Sequence, residues 1–96
     1  ESSLLSSKPE DFILYSNYPN PFNPVTTIRY SIAKESEVSL IVYNTLGEEV
    51  AELINESQRI GNYEVELNAT ELSSGVYFYK LDAGNYSKVK KMILMK

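Results

Sequence analysis

Residues 72–81 read LSSGVYFYKL, and this stretch carries the clearest indication of the fold. Tyr77, Tyr79 and Leu81 alternate along one face of an extended chain, and Phe78 makes the opposite face apolar as well. A strand that is apolar on both faces is typical of the centre of a sheet. We therefore predict a central strand over residues 76–81.

Outward from this stretch, the chain repeats the same two-residue period between turn signals. Alternation predicts strands at residues 26–32 and 63–67, a second central strand at 38–43 and a last strand at 86–96. Residues 48–54 alternate imperfectly, which predicts a bulged or short edge strand. No segment is long enough for a crossover helix, so we predict an all-β, antiparallel β-sandwich of about seven strands. The pattern of residues 72–81 makes an immunoglobulin-like sandwich the expected type.

Two further features of residues 72–81 are typical of such sandwiches. Tyr77 follows a Leu-Ser-Ser-Gly segment, as does the Tyr of a tyrosine corner, whose hydroxyl group bonds to the backbone a few residues upstream. Tyr79 then occupies the position where immunoglobulin domains often carry Cys. The alternative is that Tyr77 is an ordinary core residue.

Three prolines near the amino-terminal part predict a stiff corner, because each fixes φ and removes a donor from a sheet ladder. The corner consists of Asn17, Pro19, Asn20, Pro21, Phe22, Asn23 and Pro24. Residues 1–11 are rich in Ser and charge, which predicts a flexible linker from an upstream domain, followed by one folded domain over residues 12–96.

The composition argues against most enzyme chemistry. The 96 residues include no His and no Cys, which removes the commonest general base and the thiolate metal ligands. A net charge of −4 is the wrong sign for a nucleic-acid partner. Glu64 and Glu66 have a spacing that glycosidases use, but they are better explained as the solvated face of a strand. We predict no enzyme activity, no cofactor and no metal.

The last strand differs in charge from the rest of the chain. Residues 83–96 contain Lys88, Lys90, Lys91 and Lys96 and no acidic residue. Such lysines can protect an edge strand from aggregation, or they can form a docking strand that pairs with a receptor. Both interpretations stay open at this point.

Four segments together resemble a known family: NYPNPFNP at 17–24, YNTLGEEV at 43–50, LSSGVYFYKL at 72–81 and KKMIL at 90–94. In this order and spacing they are similar to the type A C-terminal sorting domain of the type IX (Por) secretion system. The resemblance covers roughly residues 12–96.

The resemblance implies a non-catalytic secretion signal that directs a larger passenger protein through the outer membrane. The implied partners are the upstream passenger, the type IX translocon and a sortase-like peptidase that removes the domain by cleavage upstream of Asn17. The implied location is the periplasm in transit and then the cell surface or the extracellular space, without a membrane span. The positions implied as recognition candidates are Gly47, Gly75, Tyr77, Lys90, Lys91, Met92, Ile93, Leu94, Met95 and Lys96.

An alternative function is an accessory or carbohydrate-binding module of a secreted glycoside hydrolase, with Tyr18, Phe22 and Tyr86 as a sugar-stacking platform. Packing of these rings into the core or the corner is the favoured interpretation. Ile41 and Ile93 are apolar where the pattern predicts solvent. They indicate a second apolar surface that a homodimer could bury.

Overall fold

The computed structural model describes residues 9–96, which form seven antiparallel strands and, within that range, no helix. The strands are β1 (Ile13–Leu14), β2 (Val25–Ile32), β3 (Ser36–Tyr43), β4 (Glu49–Gln58), β5 (Gly61–Asn68), β6 (Gly75–Ala83) and β7 (Tyr86–Leu94). One sheet has the order β1-β2-β5 and the other the order β4-β3-β6-β7. The predicted immunoglobulin-like sandwich is confirmed. Most of the predicted linker, residues 1–8, lies outside the described residues, and the domain boundary at residue 12 stays a prediction.

A single apolar core fills the space between the two sheets. It forms because every second side chain of β2, β3 and β6 points inward, as the two-residue period predicts. The largest fully buried side chains of these three strands are Ile28, Tyr30, Ile32, Val38, Leu40, Val42, Tyr79 and Leu81. β3 and β6 lie inside the four-stranded sheet, which confirms both predicted central strands.

β4 is an edge strand whose register with β3 shifts at two places, as the imperfect alternation predicts. The strand was predicted to end at residue 54, which is wrong, because the polar residues that follow gave no apolar alternation. The strand continues to Gln58, which pairs with Ser36 and accepts a hydrogen bond of 2.7 Å from the Tyr30 hydroxyl group. The last strand was also predicted two residues too long, since β7 ends at Leu94.

The tyrosine corner is present. The Tyr77 hydroxyl group donates a hydrogen bond of 2.6 Å to the carbonyl oxygen of Ser73, four residues upstream. The side chain is 7% exposed, so this bond holds the connection before β6 against the core.

Tyr79 joins the two sheets through its hydroxyl group. The group donates to the Tyr15 carbonyl oxygen and accepts from the Asn17 N–H, each at 2.8 Å. Tyr15 and Asn17 follow β1 of the three-stranded sheet, whereas Tyr79 lies in β6 of the other. The side chain is fully buried. A polar cross-link therefore occupies the position where immunoglobulin domains often carry a disulfide.

Burial raises the pKa of two core tyrosines above the ordinary value of 10.0. For Tyr79, desolvation outweighs the opposing hydrogen bond from the Asn17 N–H. For Tyr30, desolvation raises the pKa, the hydrogen bond to Gln58 lowers it, and the charges of Tyr63 and Glu56 raise it.

These shifts predict a loss of stability in alkaline solution. A raised pKa in the folded state means that the stabilisation is fully present below the unfolded pKa of about 10 and is lost as the pH rises through the folded values. Urea unfolding between about pH 9 and pH 11 measures this loss. The double variant Tyr30→Phe, Tyr79→Phe should lose less free energy of unfolding over that interval than the unaltered chain, and an equal loss would contradict the assignment.

The direction of the strands gives the sandwich two distinct ends. The corner before β2, the β3–β4 turn, the β5–β6 connection and the residues after β7 lie at one end, which we call the motif end: residues 17–24, 44–48, 69–74 and 95–96. Residues 33–35, 59–60 and 84–85 turn at the opposite end. β1 is antiparallel to β2, so residues 9–12 also enter there.

Candidate functional site

Three recognition candidates, Gly47, Met95 and Lys96, lie at the motif end, and the other candidates lie in β6 and β7, which begin or end there. The proline-rich corner lies beside the last residues of β7, where Phe22 forms a parallel bridge with Leu94. The Phe22 N–H donates to the Ile93 carbonyl at 3.0 Å, and the Met95 N–H donates to the Phe22 carbonyl at 2.9 Å. The Asn20 side chain accepts from the Ile93 N–H at 3.0 Å. The corner thus covers the end of the terminal strand.

The β5–β6 connection holds the last residue of the chain from the other side. The Lys96 N–H donates to the Ser74 hydroxyl group at 3.1 Å, and the Lys96 ammonium group donates to the Thr70 carbonyl at 2.5 Å. Gly75 begins β6 at a φ of +149°, and a Cβ atom there would meet no heavy atom within 4 Å. Its backbone conformation, not crowding, therefore favours glycine.

The β3–β4 turn lies at the same end and is built by Asn44. The Asn44 Oδ1 atom accepts the N–H groups of Leu46 and Glu48, each at 2.9 Å, and its Nδ2 atom donates to the Glu48 carboxylate at 2.7 Å. Gly47 closes the turn with a φ of +83°. Leu46 is 81% exposed at the tip. The turn therefore presents an apolar side chain from a cross-linked loop.

The terminal candidates separate into buried and exposed side chains. Met92 and Leu94 are 0% and 1% exposed and belong to the core, so no partner can contact them in the folded domain. Lys90 and Ile93 are half-buried. The exposed candidates of the terminal segment are Lys91, Met95 and Lys96.

Sequence reasoning missed the pairing of the corner with β7 and the bridging role of Tyr79. Both contacts join residues more than sixty positions apart. The proline content predicted the corner but gave no signal for its neighbour. Only the position of Tyr79 at the usual site of a Cys pointed to an inter-sheet role.

The three rings of the alternative sugar platform do not share an exposed surface. Phe22 is 2% exposed in the core, Tyr86 stacks on Phe12 with ring centroids 5.6 Å apart, and Tyr18 alone is largely exposed, at 77%.

Glu64 and Glu66 lie on the solvated face of β5, as predicted. A shallow groove of about 410 Å³ lies beside Glu64 and is lined by Tyr15, Arg29, Tyr30, Asn62 and Tyr63.

Residues 9–96 contain no group of three or more acidic side chains placed to hold a metal ion. The same residues form no helix long and apolar enough to cross a membrane.

The fold is an immunoglobulin-like sandwich in which each of the four sequence motifs includes or adjoins residues of the motif end. Residues 16–95 match the family model of the secretion system C-terminal sorting domain, and the chain belongs to that family. No curated protein and no solved structure matches the chain.

Membership of the family gives the chain its role. The domain is a sorting signal for type IX secretion, attached to an upstream passenger and read by the type IX machinery. The signal leads to export to the cell surface or the extracellular space. The sorting-domain family is not catalytic.

Proposed function

We propose that the type IX machinery recognises the motif end of this domain. The observation that carries the proposal is the polarity of the sandwich. The chain enters at one end, and the exposed residues of the corner, the Gly47 turn and residues 95–96 lie at the other. A passenger attached upstream therefore leaves the motif end open to a receptor.

The motif end has the properties of a recognition surface. Leu46 and Met95 are 81% and 57% exposed, and each extends from backbone that is fixed by hydrogen bonds. Backbone that is already fixed loses little further conformational entropy when a partner binds the side chains that it carries. Within this surface the buried candidates Tyr77, Met92 and Leu94 hold the shape, and the exposed residues make the contacts.

The test is export of a periplasm-targeted fluorescent reporter fused upstream of residues 1–96, in a host with an active type IX system and in one without its translocon. Removing residues 90–96 would also remove Met92 and Leu94 from the core, so point variants are more informative. We expect Leu46→Ser combined with Met95→Ser to lower export at least about fivefold, because two exposed contacts are lost while the core is unchanged.

The matched control carries Ile60→Ser and Ile13→Ser. These side chains are 38% and 37% exposed, and both lie at the opposite end of the sandwich. The control should be exported like the unaltered domain. Equal export of the Leu46, Met95 variant would refute the motif end as the surface that is read, whereas export in the host without a translocon would contradict sorting itself.

We also propose that the passenger reaches this machinery through the periplasm and that a sortase-like peptidase then removes the domain. The absence of Cys supports a periplasmic route, since no free thiol can enter a wrong disulfide there. β1 pairs with β2 from Ile13, so cleavage between residues 9 and 12 would leave both sheets complete. The mass of the domain released by the exporting host tests the site of cleavage.

The outer face of the four-stranded sheet supports a homodimer of the isolated domain. Ile41, Tyr43, Val76, Phe78 and Ile93 are half-buried on this face, between Glu49 and Glu52 of β4 and Lys91 of β7. A two-fold pairing would bury the apolar side chains and place acidic residues over Lys91 of the second copy.

Sedimentation velocity tests this pairing. We expect a dimer that Phe78→Glu converts to a monomer, because a carboxylate would be buried at the centre of the contact. The exposed substitution Leu46→Ser, away from this face, should leave the dimer intact. A monomer at the highest soluble concentration of the unaltered domain would overturn the proposal.

A further inference from the structure

β7 is an edge strand whose outer side is covered over only part of its length. At Ile93, both the N–H and the carbonyl group point away from β6, toward Asn20 and Phe22. Backbone groups alternate in direction along a strand, so Ser87, Val89 and Lys91 point their N–H and carbonyl groups the same way. No described residue pairs with the outer side of β7 at these three positions.

The two edges of this sheet differ in geometry and in charge. β4 is interrupted by two register shifts and carries Glu49, Glu52 and Glu56. β7 pairs with β6 through nine consecutive residues without a shift, so its free side is regular. An uninterrupted edge is suited to accept another strand, whereas a bulged one is not.

The side chains around the free part of β7 are basic on both sides. Lys88 and Lys90 share the face of Met92, which points toward the core, and Lys91 lies on the outer face. Among residues 9–96 the only ion pair joins Lys80 and Asp82, so none of these three lysines has a carboxylate partner within 4.0 Å.

From these observations we propose that the free edge of β7, residues 87–91, binds an extended acidic segment of a partner protein as an added strand. The corner already shows how the edge is extended, since Phe22 pairs with β7 just beyond this stretch. The same contact ends the free edge at Ile93 and fixes how far an added strand can run. Binding at this edge is separate from recognition of the motif end by the type IX machinery and does not depend on it.

The test uses the 96-residue chain and a capped peptide of about seven residues that alternates Glu and Val. Binding should shift the backbone amide signals of Ser87, Val89 and Lys91 and leave those of β4 unchanged. Two controls are the same peptide with Lys in place of Glu and a version methylated at alternate amide nitrogens, which cannot form the ladder. Both should bind at least about tenfold more weakly.

Variants of β7 separate backbone pairing from charge. Val89→Pro removes an outward N–H without removing a bond to β6, and it should weaken binding at least about tenfold, whereas Val89→Ala should stay within about twofold. Lys88→Gln, Lys90→Gln and Lys91→Gln together should weaken binding and reduce its dependence on salt.

Three results would overturn the inference. They are the absence of binding by the acidic peptide, equal binding of its methylated form, and amide shifts confined to other strands. The methylated peptide keeps the test decisive if Val89→Pro does not fold. A chain that fails to bind the peptide but is exported normally refutes the edge alone. A chain that binds the peptide, and whose Leu46→Ser, Met95→Ser variant is exported as well as the unaltered domain, refutes recognition of the motif end alone.

Discussion

Replacing Phe22 with Ala is expected to lower the free energy of unfolding by about 3–5 kcal/mol, the largest effect of any single substitution considered. The ring is 2% exposed and belongs to the main core, although its backbone lies in a surface corner. Truncation leaves a cavity between the corner and the end of β7. Since a domain of this size is stable by about 5–15 kcal/mol, the loss is a large share of the total.

Urea unfolding measures the effect of Phe22→Ala, and hydrogen exchange locates it. Because the Phe22 backbone pairs with β7, the Met95 amide should lose protection in the variant beyond the global loss of stability. Tyr18→Ala is the matched control, since Tyr18 lies in the same corner and is 77% exposed. It should change the free energy by no more than about 0.5 kcal/mol. Equal effects of the two substitutions would show that the ring does not anchor the corner.

The second large effect is expected for Tyr79→Phe. The substitution keeps the ring in the core but removes the hydroxyl group from the Tyr15 carbonyl and the Asn17 N–H. One buried and one partly buried backbone group lose this partner, at about 1–3 kcal/mol for a buried group. We expect a loss of about 2–4 kcal/mol, which for a domain of this length lowers the Tm by about 10–20 °C.

Calorimetry of Tyr79→Phe beside Tyr43→Phe tests this account. Tyr43 is half-buried on the outer face, and none of the hydrogen bonds among the described residues involves its hydroxyl group. The Tyr43 variant should be within about 0.5 kcal/mol of the unaltered domain. If the Tyr79 variant were as stable as the Tyr43 variant, the hydrogen bonds between the sheets would not contribute to the stability of the domain.

The strands that bury one face could be predicted from the sequence, because burial of every second side chain requires apolar residues at every second position. Tyr77, Tyr79 and Leu81 show this most clearly, and the two central strands follow from apolar residues on both faces. The last part of β4 could not be predicted, since residues 55–57 are polar. Pairing with β3 and the hydrogen bond from Tyr30 to Gln58 extend the strand, and both depend on distant residues.

The candidate site could be predicted in its parts but not in its assembly. The motifs identified the relevant segments and, within them, Gly47 and Gly75. Which of these residues are exposed depends on the register of β7 against β6, which buries Met92 and Leu94 and leaves Lys91 and Met95 outside. The contact between Asn20 and Ile93 spans 73 positions, and no local pattern encodes it.

The placement of the chain entry and the terminal residues at opposite ends also decides how the domain responds to mechanical force. A machine that holds the motif end while the passenger pulls on residues 9–12 applies tension along the strands. Residues 13–18, which link the chain entry to the corner, pair with β2, so their hydrogen bonds are loaded in shear and must break together and not one after another. The domain should therefore stay folded under this pulling force until residues 13–18 slide as a unit along β2.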